Sequence, residues 1–120
     1  MPARSVGRIQ SRAAFARLQR SRARATSGPV RATFVPVDEA VPGLFPQVGY
    51  AIGRHCGNAV VRNTLRRRMR EAARASALDL PRGTYLLRVD PAAARCERAQ
   101  FSAHVVEALR RAGRYPGLRP

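Results

Sequence analysis

The segment from Asn58 to about Ala77 contains neither proline nor glycine, opens on asparagine, and is closed by LDLPRG with Pro81 and Gly83. Asparagine is among the best helix N-cap residues, and proline with glycine stops a helix, so one long helix is predicted. Wound at about 100° per residue and with Val61 set at zero, Leu65, Met69 and Ala72 fall within about 80° on one side, a stripe for a core. Arg62, Asn63, Arg66, Arg67, Arg70 and Arg74 sweep from about 100° to about 240°. Arg68 falls beside the apolar stripe, where its stem covers the core edge and its head reaches water or Glu71. Val60, Val61 and Leu65 read as anchors that let a charged face stand outward.

A stripe of this kind must be buried against another layer, and the rest of the chain supplies one. Ser11 to Arg20 reads as a short helix with Ser11 as its cap and Ala13, Ala14, Phe15, Ala16 and Leu18 inside it. VRATFVPV at 30 to 37 sets Val30, Ala32 and Phe34 against Arg31 and Thr33, the period-two pattern of a half-exposed strand, until Pro36 interrupts it. A loop, DEAVPGLFPQ, leads to QVGYAIG, a second strand ending at Gly53. TYLLRV at 84 to 89 is the clearest strand. From roughly Gln100 to Ala112, Phe101, Val105, Val106 and Leu109 recur at helical spacing, and Gly113 ends the run. Residues 22 to 34 leave room for an extra strand, because a β-hairpin bend there would not show in composition. The order α-β-β-(β)-α-β-α predicts an α/β (α+β) two-layer sandwich, about three helices on a small mixed sheet, with 1–120 as a single domain and 1–8 and 114–120 as loose tails.

Charge narrows the function. Basic residues number 23 against 7 acids, a formal net charge of +16, and every basic residue is arginine. A GC-rich genome explains arginine in place of lysine but not the excess of bases over acids. Such a charge strains a compact fold unless a polyanion neutralises it, so nucleic acid is the leading partner and an anionic membrane surface the second. The membrane reading fails on pattern, since the polar face carries asparagine and the apolar face is small and alanine-rich. Residues 1 to 37, with eight arginines and no acid, also have the composition of a transit peptide, although Ile9, Phe15 and Leu18 suit a folded helix better. With no secretory h-region or long apolar run, a cytoplasmic, thiol-reduced protein is expected.

No catalytic constellation stands out. The acids are dispersed, with no pair on one helical face to hold two metals, and Cys56, Cys96, His55 and His104 are too scattered for zinc. Either histidine is a weak general-base candidate without a partner to orient it. Arginine instead offers planar paired donors matched to phosphate oxygens, and Arg62 to Arg74 covers about 18 Å of helix, enough for several successive phosphates. Asn58 marks the helix start, where free N–H groups favour an anion. A regulator placing this helix in a DNA groove would need a short helix before it, where QVGYAIG reads as strand.

The run RHCGNAVVRNTLRRRMREA resembles the signature of the bacterial ribonuclease P protein component: a basic residue, then Gly-Asn-Ala-Val-x-Arg-Asn, two basics and Arg-Glu. The matching positions are Arg54, Gly57, Asn58, Ala59, Val60, Arg62, Asn63, Arg66, Arg67, Arg70 and Glu71. QSRAAFARL resembles the family's N-terminal element, whose phenylalanine faces a substrate cleft. QVGYAIG and TYLLRV resemble the strands flanking the motif helix. Three positions depart from the pattern: Gln19 where a second aromatic is common, His55 in a basic pair, and Cys56 in place of an aliphatic.

The resemblance implies a fold similar to one domain of a ribosomal protein, with the motif helix joining two parallel strands by a left-handed crossover. It implies a protein that binds the catalytic ribonuclease P RNA and the 5′ leader of precursor transfer RNA, with no obligatory protein partner and no membrane. Cleavage with Mg2+ would belong to the RNA, the protein carrying no cofactor and being inactive alone. Arg54, Asn58, Arg62, Asn63, Arg66, Arg67, Arg70 and Arg74 would touch the RNA subunit. A second surface on the sheet and first helix would hold the single-stranded leader, with Phe15 and Phe34 as its stacking candidates; both also suit a core, Phe34 the more so.

Overall fold

The alternation read in VRATFVP is the spine of the sheet. In the computed structural model, which describes residues 12–36 and 46–114 apart from the side chains of 13–15 and 78, strand β2 (Val30–Pro36) buries Val30, Ala32 and Phe34 and turns Arg31 and Thr33 away. It pairs antiparallel with β1 (Ala23–Ser27) on one side and β4 (Gly83–Val89) on the other, while β3 (Gln47–Ala51) lies parallel to β4, giving the order β1-β2-β4-β3. Strand β1 is the extra strand for which residues 22 to 34 left room. It turns into β2 at Gly28 and Pro29, Gly28 taking a φ of +56° ahead of a proline held near −65°, the sign pattern of a type II′ hairpin turn. The loop expected at residues 38 to 47 lies largely outside the described residues, as do the tails apart from Arg114.

Three helices complete the described chain: α1 (Arg12–Arg20), α2 (Ala59–Ser76) and α3 (Arg98–Gly113). Helix α2 joins β3 to β4, so a helix spans two neighbouring parallel strands. Strand β3 stops at Ala51, short of the predicted Gly53, because residues Arg54–Cys56 wind into a 3-10 turn that feeds α2.

Helices α2 and α3 cover one face of the sheet. Leu65, Met69, Ala72 and Ala73 of α2 meet Phe101, Val105, Ala108 and Leu109 of α3 and the inward side chains of β2 and β4. Each large side chain sealed here contributes about 1.5–3 kcal/mol relative to exposure. On the opposite face, Leu18 of α1 is buried in a groove it shares with Thr33 and Leu86, apart from the main core. Ser21, just past α1, donates its hydroxyl to the Phe34 carbonyl and receives the Ala23 N–H at 3.1 Å, fastening this corner to the sheet.

One expected anchor is displaced. Val60 is 73% exposed, whereas Val61 packs against the core. The buried stripe is centred further round the helix than Val61, because Ala73 belongs to it with 0% exposure, and Val60 then faces water.

Candidate nucleic-acid interface

The entry to α2 is set by glycine and asparagine. Gly57 has φ +144°, and a Cβ there would lie 2.9 Å from the Val61 side chain, so the tight step from the 3-10 turn into α2 is open to glycine. Asn58 caps the helix, its Oδ1 accepting the Val61 N–H at 3.0 Å. That carbonyl oxygen is thereby committed, and the exposed amide NH2 is what Asn58 offers outward. Cys56, in the slot usually filled by an aliphatic, is buried with its thiol 3.6 Å from the Val89 carbonyl oxygen. Arg54 beside it is exposed.

Along α2 the structure brings Asn63, Arg67, Arg70 and Arg74 together on one exposed side. Arg62 and Arg66 flank them as half-buried shoulders, since Met69 and Ala73 carry the core round to meet them. Arg62 has its Nε buried without a hydrogen-bond partner, a feature it shares among the described residues with Arg110. Arg66 donates from Nη1 to Asn63 Oδ1 at 3.2 Å. The Arg70 guanidinium lies over the Tyr50 ring, Cζ 5.9 Å from its centroid. Burial pushes the Tyr50 phenol up to about 12, against the pull of Arg70 and Arg74, so it stays protonated at neutral pH.

The helix's one acid does not serve this face. Glu71 accepts from Arg98 of α3 at 2.9 Å rather than from Arg68, which leaves water, the other expected destination, for the Arg68 head. With Glu71 drawn to α3, the arginine side of α2 keeps no internal counterion among the described residues.

A second basic surface lies on the sheet face away from α2 and α3. Thr33 and Leu86 point there, flanked by Arg24 of β1, Arg31 of β2 and Arg88 of β4, with Gln19 and Leu18 of α1 closing one side. Arg24 is held in place by donating to the carbonyls of Gln19 at 2.9 Å and Ser21 at 3.0 Å. Sequence reasoning did not single these arginines out for the leader surface, although the alternation that placed Arg31 and Thr33 opposite Phe34 carried the signal. Tyr50 was missed too, because a tyrosine on a strand beside a core gives no cue of its arginine neighbour.

Phe34 is not part of this surface. It is 2% exposed and stacks on Tyr85 inside the core, centroids 4.4 Å apart, with no open face for a base. The Phe15 side chain lies outside the described residues. Among the described residues no helix is long and apolar enough to cross a membrane, and no three His, Cys, Asp or Glu side chains are grouped to hold a metal ion.

Fold and charge define a small, strongly basic α+β protein whose cationic groups gather on α2 and on the outer sheet face. The family model described as Ribonuclease P matches residues 4–113. The ribonuclease P protein component of Thermus aquaticus is 36% identical over 115 residues, covering 93% of this chain and 65% of that protein. Its counterpart in Thermus thermophilus is 36% identical over 100 residues, covering 83% of this chain and 56% of that protein. This chain thus spans about three fifths of the length of those relatives. In fold it is similar to the RNase P protein of Staphylococcus aureus (TM-score 0.74, 17% identity, 88% of this chain and 94% of that one). The RNase P protein of Thermotoga maritima gives TM-score 0.71 at 19% identity, covering 87% of this chain and 96% of that one. The chain belongs to the ribonuclease P protein component family.

Proposed function

We propose that the chain acts as the protein subunit of a cytoplasmic ribonuclease P, binding a catalytic RNA and the 5′ leader of precursor transfer RNA and assisting endonucleolytic removal of that leader. The observation that carries this reading is the gathering of Asn63, Arg67, Arg70 and Arg74 on one exposed side of α2 while Glu71 is turned to α3, in a chain of this family. Arginine forks match phosphate oxygens, and a face without its own acid is left to a polyanion for neutralisation. Folded RNA is met by shape, phosphate and 2′-OH contacts, which suits a rigid helix presenting fixed donors.

The outer sheet face is the place for the single-stranded leader. Arg24, Arg31 and Arg88 supply charge along its backbone, while Thr33 and Leu86 form a floor without bulky obstruction. Phe15 is assigned to this cleft by the resemblance alone. By the family resemblance, cleavage with Mg2+ would fall to the RNA, and the protein alone would be inactive.

Reconstitution with a bacterial ribonuclease P RNA at low magnesium tests this reading. The chain is expected to restore precursor cleavage and to cleave nothing without the RNA. RNA affinity should fall steeply with salt: for about six neutralised phosphates the log–log slope lies near −4 to −5. A slope near zero, or no rescue of cleavage, would overturn the proposal.

A further inference from the structure

We infer that Tyr50 is a positioning residue for RNA binding, holding the Arg70 guanidinium in its binding orientation before RNA arrives; the inference rests on the α2 face being the RNA contact. Tyr50 lies on β3, not on α2, and no part of the motif includes it. It sits half-buried where β3 passes beneath α2, anchored by packing against the core, and Arg70 reaches from the helix to lie over its ring. A centroid distance of 5.9 Å falls within the reach of a cation–π contact.

The other cations of this side differ. Arg66 is tied to Asn63 on its own helix, while Arg67 and Arg74 have no hydrogen-bond or ion-pair partner among the described residues. Among them, Arg70 is the one whose guanidinium lies over a ring of a second element of the fold. An arginine that enters a complex from many rotamers loses that freedom on binding; one already laid on a rigid ring loses less. A ring, unlike a carboxylate, orders the guanidinium without occupying its donors or cancelling its charge, since the Tyr50 hydroxyl stays protonated across the neutral range. Arg70 keeps its N–H groups for phosphate, and Tyr50 need not touch the RNA at all.

The test is a double-mutant cycle on affinity for a bacterial ribonuclease P RNA transcript, with Tyr50→Leu, Arg70→Ala and the pair, each checked for folding by thermal melting. Tyr50→Leu is expected to weaken binding about two- to fivefold, to have little effect in the Arg70→Ala background, and to be largely rescued by Tyr50→Phe. Additive effects of the two substitutions, or full affinity in Tyr50→Leu, overturn the inference while leaving the RNA reading intact. Full affinity in Arg70→Ala overturns the inference and counts against that reading at this residue. Should Tyr50→Leu not fold, the free wild-type protein decides: ring-current shifts on the Arg70 side chain, seen by NMR before RNA is added, are expected, and their absence overturns the inference.

Discussion

Glu71 on α2 and Arg98 on α3 meet at 2.9 Å, which ties the two helices together at the edge of the arginine face. Both side chains are half-exposed or more, so the pair is worth at most about 1 kcal/mol. Glu71→Gln is therefore expected to lower stability by no more than that in urea unfolding, and to leave RNA affinity unchanged or raised. A marked loss of affinity would mean that the acid takes part in the interface.

Phe34 separates core from cleft. Phe34→Ala removes a buried ring and its stack on Tyr85 and is expected to cost about 3–5 kcal/mol in denaturant unfolding. Under conditions where the variant is fully folded, single-stranded RNA should bind it as it binds the wild type. Selective loss of that binding would return Phe34 to the leader surface.

Arg31 and Arg88 stand directly opposite each other on neighbouring strands, and Asp90 lies 3.3 Å from Arg31 as its counterion. Like charges in register oppose sheet pairing, so Arg88→Ala should leave stability unchanged or raise it by a few tenths of a kcal/mol. The same substitution is expected to weaken binding of a precursor's single-stranded leader, measured by comparing precursors with and without one. Equal loss for both substrates would assign Arg88 to the RNA subunit instead.

Alkaline unfolding should follow the tyrosines. Burial raises Tyr50 to about 12 and lifts Tyr85 further, the latter also donating its hydroxyl to the Pro81 carbonyl at 2.6 Å. In the unfolded chain both titrate near 10, so above that pH the unfolded state binds fewer protons than the folded one. Their contribution is complete below about pH 10 and is lost as pH rises through the folded values. Absorbance at 295 nm is expected to show phenolate appearing with unfolding, and Tyr85→Phe should flatten the stability loss between about pH 10 and 12. A freely titrating Tyr50 at pH 10 in the native protein would contradict its burial.

Helix α2 was legible because its pattern is written in residues that mean one thing: Leu65 and Met69 at core spacing, arginines elsewhere. Its buried limit was not, because Ala73 carries little hydrophobic signal and yet seals the stripe, pulling Arg62 and Arg66 toward the core and turning Val60 outward. Strand β1 was hidden for a similar reason. Its inward residues Ala23 and Ala25 are poor strand formers, and pairing with Phe34 and Ala32 is what orders them. For the site, the motif positions on α2 could be read from spacing and resemblance. Contacts between elements, Arg70 over Tyr50 and Arg98 on Glu71, depend on packing across many residues of separation and leave no periodic trace.

The sheet ends, among the described residues, in two strands of five residues, β1 and β3. Bare strand edges are templates on which further copies can add, and short length with flanking cations is a common defence. Here Arg24 lies on β1 and Arg111 of α3 donates to the Thr26 carbonyl at 3.1 Å, while Arg70 overhangs β3 at Tyr50. On the proposed function, a chain synthesised ahead of its RNA would be kept from self-association by its own arginines, and aggregation is expected to become most pronounced where those charges are neutralised without the order that a folded RNA imposes.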